Sequence, residues 1–192
     1  MTVPSIKGTA FVSAHADVHA LLGRGALTRD ALEVALEAQD LGILDEKVQP
    51  AAWYPIATYD RLLRVLCEHE AGGSVEGYLV ARGEKAGERL AASGIYQQLG
   101  ATTGALRAHT GRIVLTVAGL IYNFTSWRFA GERGNVRRFS LEVDEAAAFP
   151  ESARLTTQGF IQYAATRIIG QPMRATSERP LASRILFHVA AV

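Results

Sequence analysis

His15 and His19 stand at i and i+4, a spacing that puts two imidazoles on one helix face and could hold a metal ion. The H-E-x-x-H context of a zinc hydrolase is missing, since Asp17 is the only carboxylate between them. Solvated surface, with no metal, is the expectation. His69, flanked by Glu68 and Glu70, has carboxylates that could tune it, yet its helical setting predicts a surface histidine. Cys67, the single cysteine, has no basic pair beside it to lower its thiol pKa, so a small buried hydrophobe is expected rather than a nucleophile. Asp144 and Glu145 are adjacent and point apart on a strand, which does not suit paired acid–base work. The anchor residues of serine hydrolases, P-loop NTPases and dinucleotide-binding folds do not occur. These residues predict a protein that recognises something and is not an enzyme.

Recognition has two candidate surfaces. Arg128, Arg133, Arg137 and Arg138 surround one predicted turn, and a guanidinium suits a carboxylate in shape and charge. Ser126, Arg128, Arg137 and Arg138 are therefore candidate contacts for an anion or an acidic partner, against the alternative of a solvated face. Among the aromatic residues, Trp53, Tyr59, Tyr122, Phe124, Trp127 and Phe160 are candidate lining for an apolar pocket, against the alternative of plain core.

The elements that would position these groups are legible from periodicity. Ser5 to Val12 could be a short strand, and Ala14 to Leu22 a helical turn or two. Thr28 is a plausible N-cap for a helix through about Gln39 with Leu32, Ala35 and Leu36 inward, ended by Gly42. Trp53-Tyr54-Pro55 opens a helix whose Tyr59, Leu62, Leu63 and Leu66 make an amphipathic stripe. Gly72-Gly73 breaks it, Ser74 caps the next helix, and that helix runs to about Ala92. Gly83 and Gly87 on one face of it predict close approach of another backbone. A further helical segment is expected over about Leu106 to Leu120.

From there the pattern becomes hairpin, helix, hairpin. Leu120 to Ala130 is rich in β-formers, and Phe139, Leu141 and Val143 alternate with polar residues. Pro150 and Glu151 open a helix that Gly170 and Pro172 end. Met173 to Glu178 and Ile185, Phe187 and Val189 supply a second strand pair, whose dry face upstream helices must largely cover.

Composition narrows the class. The 192 residues carry twenty basic and nineteen acidic side chains, a formal +1 that is too balanced for a whole-chain nucleic-acid binder. An apolar share of 48% with 20% charged residues is that of a globular chain, and one domain is expected, mainly helical over 1–120 and sheet-forming over 121–192. One cysteine leaves no internal disulfide, the first residues lack a secretory pattern, and the longest apolar run is too short to span a bilayer. A cytoplasmic protein without a membrane span is the expectation.

Ile6-Lys7-Gly8, Trp53-Tyr54-Pro55, the helix around Arg82-Gly83 and the C-terminal hairpin, helix and hairpin occur in an order that resembles an uncharacterised family with many paralogues in myxobacteria. The same order is distantly similar to vinyl-reductase-type ligand-binding domains and to the haem-nitric-oxide/oxygen-binding fold. The resemblance implies an α+β domain, a helical N-terminal part packed on a small, largely antiparallel sheet crossed by one helix. It also implies a pocket between helices and sheet, and a homodimer. Where vinyl-reductase-type relatives carry cysteines, Ser177 to Ser183 has none. The haem-binding relatives hold propionates with Tyr-x-Ser-x-Arg, and the nearest match is Phe124-Thr125-Ser126-Trp127-Arg128, with phenylalanine in place of tyrosine. A non-enzymatic sensory domain for a small apolar ligand, without a cofactor, is the expected function. The alternatives are a ligand-free dimerisation scaffold and a haem-based gas sensor.

Overall fold

The computed structural model describes residues 2–92, 120–130 and 137–192. The chain divides into two compact units, one of Met1–Tyr78 with Ile121–Phe124 and the other of Leu79–Leu120 with Thr125–Val192. Among the described residues there are six α-helices and two antiparallel sheets, an α+β protein as expected. No helix among them is long and apolar enough to cross a membrane.

In the first unit, β1 (Ser5–Lys7) pairs with β2 (Trp53–Pro55), and Ile6 also bridges to Tyr122. The strand expected through Val12 stops at Lys7, because α1 (Gly8–Gly23) begins at once. Gly8 permits that corner: a Cβ there would lie 2.1 Å from the Gln49 carbonyl oxygen. Phe11, Ala14, Val18 and Leu21 then bury one face of α1. Thr28 is the predicted N-cap, accepting a hydrogen bond from the Ala31 N–H at 3.2 Å. The expected single helix is instead two, α2 (Arg29–Ala35) and α3 (Ala38–Asp45). Glu37 and Asp40 form a reciprocal capping box that restarts the chain, so Gly42 lies inside α3 and does not stop a helix. Leu32 and Leu36 are buried, whereas Ala35 is exposed.

Pro55 is the N-cap of α4 (Ile56–Glu70), and the stripe of Tyr59, Leu62, Leu63 and Leu66 is buried as its spacing predicts. Each such leucine stabilises the fold by about 1.5 to 3 kcal/mol. Ser74 accepts from the Gly77 N–H at 3.0 Å and starts α5 (Val75–Ala92). The segment expected as a helix over about Leu106 to Leu120 falls, except for Leu120, outside the described residues, as does the turn containing Arg133.

The second unit holds a four-stranded sheet of order β3-β4-β6-β5, antiparallel throughout. Its strands are β3 (Ser126–Ala130), β4 (Arg138–Asp144), β5 (Met173–Leu181) and β6 (Arg184–Ala191). The β-rich stretch before Ser126 is not strand, since Leu120 and Ile121 are helical. Phe139, Leu141, Val143, Ile185, Phe187 and Val189 line one buried face, as their alternation predicts. α6 (Glu151–Ile169) follows Pro150 and ends at Gly170, whose φ of 78° is the left-handed cap a glycine accepts.

Helix α6 makes two close fits within this unit. Against α5, Gly83 and Gly159 meet as a reciprocal notch: a Cβ on Gly83 would lie 1.9 Å from the Thr156 carbonyl oxygen, and one on Gly159 would lie 1.9 Å from that of Val80. The backbone approach predicted from Gly83 and Gly87 is thus real at Gly83, with α6 as its partner, while Gly87 faces the Tyr163 side chain of the same helix. Along β5, side chains at every fourth position of α6 reach the strand at Met173, Ala175 and Ser177, with Gln158 and Arg154 sharing Ser177. Thr166 Oγ1 accepts the Met173 N–H at 3.1 Å, Gln162 Oε1 accepts the Ala175 N–H at 3.0 Å, and Arg154 donates to the Ser177 carbonyl at 3.0 Å. Gln158 accepts the Ser177 hydroxyl. Four helical residues rise about 6 Å, near the roughly 6.6 Å of two strand residues, so the two periods stay in step from Thr166 to Gln158, and the longer Arg154 reaches back to the same Ser177.

Candidate functional site

The six candidate pocket aromatics separate by unit. Trp53, Tyr59, Tyr122 and Phe124 belong to the first, Trp127 and Phe160 to the second. Trp53 is 42% exposed on β2, with the Lys7 ammonium 4.4 Å from its ring centre. Tyr59 is buried on α4 with its ring 6.2 Å from Phe11, which in turn stacks on Tyr54 at 4.5 Å. Tyr122 is buried, edge-on to Phe124. Trp127 lies on the dry side of the sheet, stacked on Phe187 at 5.8 Å and edge-on to Phe149. Phe160 is half-buried on α6.

The arginine group is also divided. Register places Ser126 opposite Asp144 and Arg128 opposite Glu142, on the solvent side of the sheet. Arg128 donates to Asp144 at 2.5 Å and to Glu142 at 3.1 Å, and Asp144 also accepts from Arg184 at 2.8 Å. The hydrogen bond from Arg184 and the charge of Arg128 hold the Asp144 carboxyl below its usual range. Arg128 is therefore occupied by acids of its own sheet. Arg137 uses its backbone carbonyl to accept the Ala191 N–H, and Arg138 is exposed at the start of β4.

His19 is exposed, as expected of a solvated histidine, whereas His15 is half-buried. His15 and His19 both point their Nε2 atoms at the Leu44 carbonyl oxygen, at 3.0 and 2.9 Å, with ring centroids 4.5 Å apart. A carbonyl only accepts, so both rings carry the Nε2 proton. Burial pushes the His15 pKa down and the charge of His19 adds to that, against hydrogen bonds to the backbone of Leu44 and Glu46. The fold thus favours neutral His15. Its contribution is complete above the ordinary value of 6.5 and declines as pH falls through 6.5 toward the lower folded value. Thermal midpoints of wild type and His15→Gln between neutral and mildly acidic pH should converge as pH falls; a gap that widens would contradict this assignment.

His69 is an exposed residue whose Nδ1 lies 2.9 Å from the Val65 carbonyl, and His188 lies between Ser140 and Glu178. Cys67 is half-buried rather than buried. Among the described residues no three histidine, cysteine or acidic side chains gather to hold a metal ion.

One polar cluster carries no motif. The Asp40 carboxylate, 0% exposed, accepts the Thr58 hydroxyl at 2.5 Å, Arg61 Nε at 2.5 Å, a second Arg61 nitrogen at 2.9 Å and the Glu37 N–H at 3.0 Å. Burial alone would raise its pKa, but these donors outweigh it and hold the carboxyl below the ordinary carboxylate range. The cluster ties α3 to α4.

No family model and no curated protein matches the sequence. Solved structures do. The unliganded Fe(II) H-NOX protein from K. algicida is 14% identical, with a TM-score of 0.65 over 97% of each chain. The H-NOX protein from S. oneidensis in its Fe(II)NO state is 13% identical, with a TM-score of 0.62 over 97% of this chain and 99% of that one. A structure on haem distortion in the H-NOX family is 12% identical, with a TM-score of 0.56 over 97% and 95%. This likeness overturns the expectation that no cofactor is involved, because two of these proteins hold Fe(II) and the third structure concerns haem itself. The chain has the haem-nitric-oxide/oxygen-binding fold, shared with these proteins over nearly its whole length.

Proposed function

We propose that the chain is a ligand-binding sensory domain, not an enzyme, and that its ligand is haem. The observation that carries this reading is the shared fold with Fe(II) H-NOX proteins over 97% of the chain. The described side chains do not by themselves make a haem site. His15, His19, His69 and His188 are all hydrogen-bonded within the protein, and Arg128 is held by acids on the solvent side of the sheet. The fifth histidine, His109, lies outside the described residues and only fifteen positions before Phe124, nearer than the resemblance implies for a haem ligand, so under this proposal it is the residue to test. Bound haem iron would offer a coordination position to a small gas, and the signal would pass through a partner or a second copy.

Absorption spectroscopy tests it directly. Protein reconstituted with haem should show a Soret band at one equivalent, and His109→Ala should lose or shift that band while His188→Ala leaves it unchanged. Failure of wild type to form the band would end the haem reading. The internal pairing of Arg128 favours a second one, an apolar ligand without carboxylates, with Trp127 and Phe160 as lining. Native mass spectrometry of purified protein against a denatured control should then show a retained small molecule other than haem.

A further inference from the structure

We propose that His15 and His19, with the Leu44 carbonyl oxygen, form a binding site for a borderline divalent transition ion of the zinc, nickel or copper kind. A bare i, i+4 histidine pair on a helix would be a weak argument, because the rings would rotate freely. Here the rings are already gathered, with centroids 4.5 Å apart and both Nε2 atoms within 3.0 Å of one oxygen. That oxygen belongs to α3, a different element from the helix that carries the histidines, and it supplies a third donor at the point where the nitrogens converge.

Two nitrogens on a tetrahedral zinc sit roughly 3.3 Å apart, a bite that two neighbouring imidazoles close by small side-chain rotations. Binding requires each ring to move its proton from Nε2 to Nδ1, so that the Nε2 lone pair faces the ion. This tautomer shift releases no net proton from a neutral ring. His19 is exposed, which leaves an approach for the ion and room for water to complete its coordination. Asp45, the next residue after Leu44, is paired with Arg29, which donates to both its oxygens at 2.6 and 2.8 Å. With two nitrogens, one carbonyl and water, the site is suited to exchangeable binding rather than to a permanent structural metal.

The test is titration of the purified full chain with zinc chloride, followed by calorimetry and by imidazole nitrogen NMR. Wild type should take up one zinc with a shift of both Nε2 resonances of His15 and His19, and with a change at the Leu44 carbonyl carbon. His15→Gln and His19→Gln should each weaken that event at least tenfold, while His188→Gln should not. Because His19 is exposed, its variant tests the site even if the His15 variant is poorly folded. Zinc affinity unaltered in His19→Gln, or uptake that leaves these Nε2 resonances in place, would overturn the assignment. So would the absence of uptake by wild type at millimolar zinc.

Discussion

Gly159→Ala will destabilise the chain by about 3 kcal/mol, at the upper end for an overpacked core. A single methyl has this effect because of what it meets. The added Cβ would lie 1.9 Å from the Val80 carbonyl oxygen and 3.0 Å from the Glu84 nitrogen, backbone atoms of α5 that cannot rotate aside. The helices must separate, and the hydrogen bond between Gln162 and Glu84 at 2.5 Å would be stretched with them. Gly83→Ala should behave alike, since its Cβ would strike the Thr156 carbonyl. Gly42→Ala supplies the contrast. That glycine lies within α3 with nothing within 4 Å of an added Cβ, so alanine there should stabilise by about 0.5 to 1 kcal/mol through helix propensity alone. Urea unfolding of the three variants checks both signs, and equal effects at positions 42 and 159 would refute the packing account.

Asp40→Ala is expected to have a comparable effect, again about 3 kcal/mol, the scale for removing one partner of a buried ion pair. The substitution strands the Thr58 hydroxyl, which is buried, and leaves the Arg61 guanidinium, 25% exposed, without its main acceptor. It also removes half of the capping box that starts α3. Asp40→Asn should cost less, because an amide oxygen can still accept the Glu37 N–H. The pH dependence separates charge from packing. The folded-state pKa of Asp40 lies below its unfolded value, so its contribution is complete above the ordinary 3.8 and is lost as pH falls through the lower folded value. The stability gap between wild type and Asp40→Asn should therefore narrow in acid; a gap constant down to strongly acidic pH would show that the carboxylate's charge is not involved.

These two sites differ in how well the sequence announced them. Gly83 and Gly87 at i, i+4 signalled a close approach because glycine in a helix carries a cost that packing must offset. The partner of Gly83, Gly159, has no second glycine nearby, so no local spacing marks it. Asp40 belongs to no motif, and Gly42 two residues later reads as a helix stop. Helix propensity reads Gly42 correctly as weak; the capping box between Glu37 and Asp40 is local, but the bonds from Asp40 to Thr58 and Arg61 are long-range terms that no local window contains. The buried stripe of α4 and the dry face of β4 and β6 were legible because periodicity is itself the physical cause of their burial.

The candidate site was less legible for a related reason. The six aromatics were chosen by residue type, which records hydrophobicity but not which surfaces face each other, and they fall into both units. Arg128 seemed available because strand register is not written in composition; only the pairing of β3 with β4 puts it against Glu142 and Asp144. The convergence of His15 and His19 on Leu44 depends on where α3 ends, and that end was misplaced.

The ladder of α6 side chains on β5 bears on how copies of this protein behave when crowded. Growth of a cross-β array needs two open flanks on each sheet, one to receive an incoming strand and one to offer the next. With Thr166, Gln162 and Arg154 holding the outer amides and carbonyl of Met173, Ala175 and Ser177, this sheet has at most one such flank, at β3. Strand addition to the four-stranded sheet can then yield a closed pair of molecules but not an unending filament.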